Sequence, residues 1–210
     1  MNVTRNFGRL LIALMVAVAL PRADAGRRGG LFDGLPGGEH SASSFKIASA
    51  GDLEVAFSPN EGADELEIRV IRSGAHPGGE IRMLAYGFNS ASETRALLDA
   101  KSAGADIKLV VDEKENTVAD RKGRARAALS ALVNAGIDVR VTDVYASHHD
   151  KVTIVDRSTT EVGSFNYTDA AKFTNSENVL VNWGNPKLAA VYRTHFDRNY
   201  AQARPLARPY

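Results

Sequence analysis

The residues best suited to chemistry lie in the stretch 149–166, which begins with a histidine and a lysine two positions apart. Residues 152–155 are β-branched and largely apolar, which predicts a buried strand entered from a polar loop. Alternate side chains of a strand share a face, so His149, Lys151 and Thr153 should lie on the same side. An imidazole can act as a nucleophile or proton carrier, and an ammonium group can neutralise phosphoryl oxygens. This pair therefore suits a phosphate ester.

A second polar group follows a predicted break at residues 157–159. Ser164 and Asn166 are two positions apart and come directly after Gly163. Glycine at this point would let the backbone approach a ligand closely, and the hydroxyl and amide groups could hydrogen-bond to it. Neutral donors of this kind would orient the oxygens of a phosphate.

The spacing of these residues resembles the signature of the phospholipase D superfamily. The pattern is His149-x-Lys151, four residues, Asp156, six residues, and then Gly163-Ser164-x-Asn166. Similarity to the small secreted bacterial endonucleases of that superfamily runs from about residue 53 to the C-terminus. It includes residues 85–88 and 175–178, which read Ala-Tyr-Gly-Phe and Asn-Ser-Glu-Asn. His148 departs from the family pattern, in which we expect an apolar residue before the catalytic histidine.

The resemblance implies a displacement at phosphorus in two steps. His149 would attack and form a phosphohistidine, while Lys151 and Asn166 would bind the phosphoryl oxygens as negative charge develops. Ser164 would either donate to the phosphate or support its neighbours, and the sequence leaves both roles open. The predicted substrate contacts are Lys151, Ser164 and Asn166.

Two carboxylates complete the predicted catalytic set. For Asp156 the resemblance implies a structural or electrostatic role, with direct proton transfer as the alternative. For Glu177 it implies a hydrogen bond from the second nitrogen of the catalytic imidazole, and the alternative is a solvent-facing glutamate at the start of a strand. The full predicted set is His149, Lys151, Asn166, Glu177, Ser164 and Asp156.

One copy of the motif leaves the reaction without its second proton carrier. The leaving oxygen needs an acid and hydrolysis of the phosphohistidine needs a base, and a second imidazole would serve both steps. Similarity to superfamily members with one motif implies a homodimer in which the active site is shared across a twofold axis. No metal or other cofactor is expected, because adjacent strand residues such as His148 and His149 point to opposite faces and the chain has no cysteine.

Apolar periodicity predicts a single α/β domain. Its fold would be a mixed, largely parallel β-sheet flanked by helices on both faces. The predicted strands are 53–58, 81–86, 107–111, 137–141, 151–155, 161–164 and 178–183. The predicted helices are 63–73, 90–103, 121–135 and one that begins at Pro186.

The N-terminal residues predict export. Residues 1–25 have two early arginines, an apolar run at 10–20 and a small-x-small cleavage site, so a signal peptide cut after Ala25 is expected. Residues 26–50 read as a flexible leader and 51–210 as the catalytic domain. The mature protein would be secreted or periplasmic, without stable membrane association.

The net charge of the chain indicates how it would bind a nucleic acid substrate. The chain has 26 basic and 25 acidic residues, and loss of residues 1–25 leaves 23 and 24. Affinity for nucleic acid would therefore come from a local basic groove. The basic run 121–126 is either a solvated helix face or a contact to backbone phosphates. Tyr86 and Phe88 would either stack on a base or pack in a core or dimer interface.

The function predicted from these residues is that of a metal-independent phosphodiesterase. It would act as a sequence-nonspecific endonuclease on DNA, with RNA as a further substrate. A lipid phosphodiesterase of the phospholipase D type is the alternative enzyme, since the superfamily contains both. A nucleic-acid-binding module without catalytic activity is the alternative from another class.

Overall fold

A single eight-stranded sheet organises residues 44–207, the part of the chain that the computed structural model describes. The strands are β1 (Asp52–Ser58), β2 (Glu80–Ala85), β3 (Asp106–Asp112), β4 (Asp138–Thr142), β5 (Lys151–Val155), β6 (Thr159–Gly163), β7 (Glu177–Trp183) and β8 (Arg204–Pro205). The helices are α1 (Ala63–Ser73), α2 (Ala91–Ser102), α3 (Arg124–Asn134), α4 (Asp169–Phe173) and α5 (Pro186–Gln202), with a π-helical turn at Lys114–Val118.

The predicted signal peptide (1–25) and residues 26–43 of the predicted leader lie outside the described residues. Within residues 44–207, none of the helices has the length and apolar character needed to cross a membrane.

The sheet has the order β1-β7-β6-β5-β2-β3-β4-β8. The predicted mixed sheet with helices on both faces is confirmed, but the expectation of a largely parallel sheet is wrong. Only β2-β3 and β3-β4 are parallel pairs, and the other five pairs are antiparallel. The reason is local: three residues join β5 to β6, and a connection that short returns the chain beside itself in the opposite direction.

Alternation along the strands divides the interior into two cores. On β2, Ile81 and Met83 pack on one face with the apolar sides of α1, α2 and α3. Leu84 points to the other face, where it packs with Ala189 and Phe196 of α5. The strands between these layers are therefore largely apolar on both sides, which explains why hydrophobic residues predominate in their sequences.

Polar residues lie at the ends of several strands, along the side of the sheet where those strands begin or end. The carboxyl ends of β2, β3 and β6 meet there with the amino ends of β5 and β7, as the pairs Ala85–Lys151 and Gly163–Val179 show. Residues that flank these ends are brought together although up to 90 positions separate them in sequence. We call this side of the molecule the site edge.

Candidate functional site

His149 and Lys151 are neighbours at the site edge. The imidazole is exposed, whereas Lys151 is 5% exposed. The Lys151 ammonium Nζ lies 3.0 Å from Nδ1 and 3.3 Å from Nε2 of His149, and it also donates to the His149 carbonyl at 3.0 Å. Burial lowers the pKa of Lys151, against the opposing charges of Glu177 and Asp150. The arrangement presents an accessible ring with a fixed cation behind it.

Tyr86, the residue after β2, forms one wall of this pair. Its ring centroid lies 4.5 Å from that of His149, and the Lys151 ammonium lies 4.9 Å from the Tyr86 centroid. The Tyr86 hydroxyl donates to Glu115 at 3.1 Å. Tyr86 therefore packs on the proposed nucleophile, whereas Phe88 is fully buried in the core and is not available to stack on a base.

Ser164 and Glu177 form a second pair across the ends of β6 and β7. The Ser164 hydroxyl donates to Glu177 Oε2 at 2.6 Å, and Asn175 donates to Oε1 at 3.0 Å. The predicted hydrogen bond from His149 to Glu177 is absent from the contacts of these described residues. Both oxygens of Glu177 already accept a hydrogen bond, and the nitrogens of His149 lie beside Lys151. Glu177 reaches the site through Ser164 and through its negative charge near Lys151.

Asn166 brings an amide to the same edge. Its Oδ1 atom is buried and has no hydrogen-bond partner among the described residues. Gly87 is its neighbour: a side-chain carbon placed on Gly87 would lie 3.9 Å from Asn166 Oδ1 and 3.2 Å from Thr168. Because Gly87 has no side chain, it does not crowd the Asn166 amide. With Oδ1 unpaired and buried, the amide nitrogen is the part of Asn166 that could donate to a phosphate.

Gly163 is needed for a reason different from the one predicted. A side-chain carbon at this position would lie 2.1 Å from the carbonyl oxygen of Asn178 in β7. Ser164 N–H and the Asn178 carbonyl are joined at 3.1 Å next to this contact. The glycine thus permits close approach of two strands rather than approach of a ligand.

Asp156 does not join the other five predicted catalytic residues. It follows β5, whereas His149 precedes that strand, so the two lie at opposite edges of the sheet, about 20 Å apart along an extended chain. Asp156 accepts hydrogen bonds from His76 Nε2 and from the Glu80 backbone N–H, both at 2.8 Å. Its place in the predicted catalytic set is therefore wrong in geometry, and its contacts fit the structural role that the resemblance implies rather than the alternative of direct proton transfer.

His148 occupies a buried position beside the site. It is 2% exposed, and its backbone N–H donates to Asp112 Oδ2 at 2.8 Å. Its ring Nδ1 lies 3.8 Å from Asp150, whose carboxylate also contacts His195 at 3.0 Å. Burial lowers the pKa of His148, which favours the neutral ring. His148 is buried and His149 is exposed, so the two adjacent side chains differ in direction, as expected. Within residues 44–207, no group of three or more His, Asp or Glu side chains is arranged to hold a metal.

Two supporting residues were not identified from the sequence. Asp112, at the end of β3, accepts from the backbone N–H of both His148 and Glu115. Asn116 donates to the carbonyls of Tyr86 and Asp112 and accepts from the Phe88 N–H. The position of Asp112 after an apolar parallel strand was a usable signal, because ligand-binding residues follow the carboxyl ends of such strands.

Comparisons with known proteins agree with the geometry. Residues 70–200 match the family model described as "Cardiolipin synthase, PLD-like domain". The crystal structure of Nuc from Salmonella typhimurium, a phospholipase D family member, is 39% identical, has a TM-score of 0.69, and the match covers 74% of this chain and 97% of Nuc. NucT from Helicobacter pylori shares the fold at 18% identity and a TM-score of 0.61, covering 74% of this chain and all of NucT (100%).

A curated relative from Rickettsia bellii, named phospholipase D, is 34% identical over 84 residues. The match covers 40% of this chain and 39% of that relative, so the chain aligns with about two fifths of its length.

Proposed function

Because the chain belongs to the phospholipase D superfamily, whose members are phosphodiesterases, we propose that it is an endonuclease. It would cut DNA, and RNA as a second substrate, without sequence preference and through a phosphohistidine intermediate. The observation that carries this proposal is the 3.0 Å contact between the exposed His149 ring and the buried Lys151 ammonium. A protonated lysine can only donate, so the ring nitrogen that faces it is an unprotonated acceptor, and its lone pair becomes available for attack when the ammonium turns to the phosphoryl oxygens.

The first step follows from this pairing. An unprotonated nitrogen of His149 attacks phosphorus, a nitrogen–phosphorus bond forms, and the bond from phosphorus to one ester oxygen breaks. The Lys151 ammonium and the amide of Asn166 bind the non-bridging oxygens, where negative charge accumulates. The Ser164–Glu177 pair holds the neighbouring strand ends at a fixed separation.

Both steps need a proton carrier. The departing alkoxide takes a proton from an imidazolium, and that imidazole then removes a proton from the water that hydrolyses the phosphohistidine. We assign this role to the partner's His149 in a homodimer. The products are a phosphate monoester, the alcohol formed from the departing oxygen, and the regenerated histidine.

An exposed apolar stripe supports a homodimer. Leu53, Val55 and Phe57 are 66%, 52% and 48% exposed. All three lie on one face of β1, which is the outermost strand on one side of the sheet. Phe57 pairs with Asn178, whose side chain donates to the hydroxyl of Ser164. A second copy covering this stripe would therefore lie next to the catalytic residues.

The test is cleavage of plasmid DNA and of single-stranded RNA by protein that begins at Gly26, in excess EDTA, beside a His149→Ala variant. We expect cleavage that persists in EDTA and is absent in the variant. Loss of wild-type cleavage in EDTA would contradict the metal-independent mechanism, and full activity of the variant would contradict the histidine mechanism. The composition of residues 1–25 supports activity outside the cytoplasm, which fractionation of the producing cells would test.

The names of the Rickettsia relatives favour one alternative, a phosphodiesterase acting on lipids. Choline release from phosphatidylcholine vesicles, measured beside plasmid nicking, separates the two functions. The endonuclease proposal expects nicking without choline release. The opposite result would assign the same histidine chemistry to lipid.

A further inference from the structure

A polar pocket of about 350 Å³ opens beside the proposed catalytic residues. Gly87 lies on its wall and is also the neighbour of the unpaired Asn166 amide. Glu115, another wall residue, accepts the hydroxyl of Tyr86, the ring that packs on His149. The pocket therefore lies next to the site where the phosphodiester would be cut.

Part of the pocket wall is the turn that leads into α3. Arg121 and Lys122 lie there, and both side chains are exposed. Among the ion pairs of residues 44–207, neither of these two side chains has a carboxylate partner within 4.0 Å. Two cations are thus presented at the pocket without an internal counter-charge.

The carboxylates of the pocket are already engaged. Asp120 accepts the backbone N–H groups of Arg124 and Arg126 at 3.0 and 2.9 Å, and it also pairs with the Arg126 guanidinium. Desolvation opposes ionisation of Asp120, but these N–H groups lower its pKa overall. Asp169 pairs with Arg124 at 3.1 Å, whereas Glu115 accepts only the neutral Tyr86 hydroxyl and keeps its charge. The two unpaired cations outnumber this one carboxylate, so the net charge left to meet a ligand is positive.

We propose that Arg121 and Lys122 form a subsite for a phosphate of the polynucleotide backbone next to the phosphate that is cut. This inference rests on the proposed endonuclease function and specifies how the site selects a polymer. A strand whose cut phosphate lies at His149 and Lys151 would continue past Gly87 into the pocket, where the two cations contact its backbone. Such contacts carry no sequence information, which agrees with cleavage without sequence preference.

The experiment compares two substrates that differ in reach. A labelled single-stranded DNA of about 20 nucleotides extends into the pocket, whereas bis(p-nitrophenyl) phosphate has one phosphorus and occupies only the position of the cut. The test variant is Arg121→Ala/Lys122→Ala. The matched control is Arg72→Ala/Lys187→Ala, which removes the same two charges from exposed positions on the opposite edge of the sheet.

We expect the test variant to lose about tenfold or more in kcat/KM for DNA and to keep its rate on the small diester within about twofold. The slope of log kcat/KM against log salt should become shallower by about 0.7, since one neutralised phosphate on a single strand contributes roughly that much. The control variant should match the wild type on both substrates.

Equal losses on DNA and on the small diester would overturn the subsite, because they would show general damage to the site. Unchanged DNA cleavage, or an equal loss in the control variant, would overturn it as well. A wild-type protein that hydrolyses the small diester but not DNA would instead refute the endonuclease proposal itself, so the two failures are distinguishable.

Discussion

Glu67 of α1 and Glu161 of β6 face each other in the interior, and both are fully buried. The two carboxylate oxygens of Glu67 accept no hydrogen bond among the described residues, and Glu161 accepts one from the Tyr167 hydroxyl at 3.3 Å. Burial raises the pKa of Glu161 to about 7 and raises that of Glu67 well above its usual range. Below neutral pH the pair is protonated in the folded protein.

The buried pair predicts that stability falls as pH rises. Unfolded glutamate ionises near pH 4.5, so from there upward the folded state binds more protons than the unfolded state. The stabilisation is complete below about pH 4.5 and is lost as pH passes about 7. Glu161→Gln should therefore be more stable than the wild type at pH 8, by roughly 1–3 kcal/mol, and similar to it at pH 5.

Urea unfolding at pH 5 and pH 8 measures this difference, with Glu61→Gln as the control because Glu61 is exposed. A Glu161→Gln protein that loses as much stability between the two pH values as the wild type would show that the pair does not titrate in this range.

Lys151 is predicted to act in the transition state more than in binding. Lys151→Met keeps the length and apolar stem of the side chain and removes the charge that faces the His149 ring. We expect kcat for plasmid cleavage to fall about 10²–10³-fold with a smaller change in KM. Steady-state kinetics on a labelled oligonucleotide checks this, and a change confined to KM would restrict Lys151 to ground-state binding.

Asp156 should be dispensable for the chemistry. Asp156→Asn keeps a side chain that tolerates the left-handed backbone at this position, where φ is 50°. Because its partners are His76 and Glu80 at the opposite edge, we expect kcat/KM within about twofold of the wild type. A tenfold loss in a variant with an unchanged circular dichroism spectrum would restore a catalytic role.

The local sequence predicted the structure correctly where a feature depends on a single helix or strand. Helix α1 and strand β5 have the predicted ends, and the neighbouring positions of His149 and Lys151 follow from strand periodicity. The π-helical turn, α4 and β8 were not predicted, because each is too short for apolar periodicity to be seen.

Contacts between elements that are far apart in the chain could not be predicted from the sequence. The motif placed Asp156 with His149, but the direction of β5 puts them at opposite edges. Likewise, nothing near Glu161 in sequence shows that Glu67 faces it from a helix, 94 positions earlier. Which groups meet across the sheet depends on strand order, and order is a property of the whole fold.

Gly163 provides a further prediction about the site edge. In Gly163→Ala, the new methyl group would lie 2.1 Å from the Asn178 carbonyl oxygen, so β6 and β7 must separate where Ser164 and Glu177 meet. We expect a loss of about 2–4 kcal/mol in stability, together with reduced activity. Urea unfolding measures the first. Gly78→Ala is a control with open space around it, and the strain of roughly 1–2 kcal/mol from its positive φ is the most that this control should lose. A variant as stable as the wild type would contradict the close approach.

The shared site predicts how activity depends on subunit mixing. If one His149 attacks while the partner's His149 protonates the leaving oxygen, a dimer that contains one His149→Ala subunit lacks one of the two functions. Activity in a fully exchanged mixture should then follow the square of the wild-type fraction, so that equal amounts give about a quarter of full activity. Independent sites would give a straight line and about half.

The mixed dimer also offers a direct chemical signature. Bis(p-nitrophenyl) phosphate has a good leaving group that needs little protonation, so the remaining His149 should still be phosphorylated. Hydrolysis of that intermediate should be slow without the second imidazole. We therefore expect a burst of about one p-nitrophenolate per mixed dimer, isolated with two different affinity tags, and an acid-labile phosphoryl group on the protein. Continuous turnover at half the wild-type rate would place the second proton carrier within a single chain.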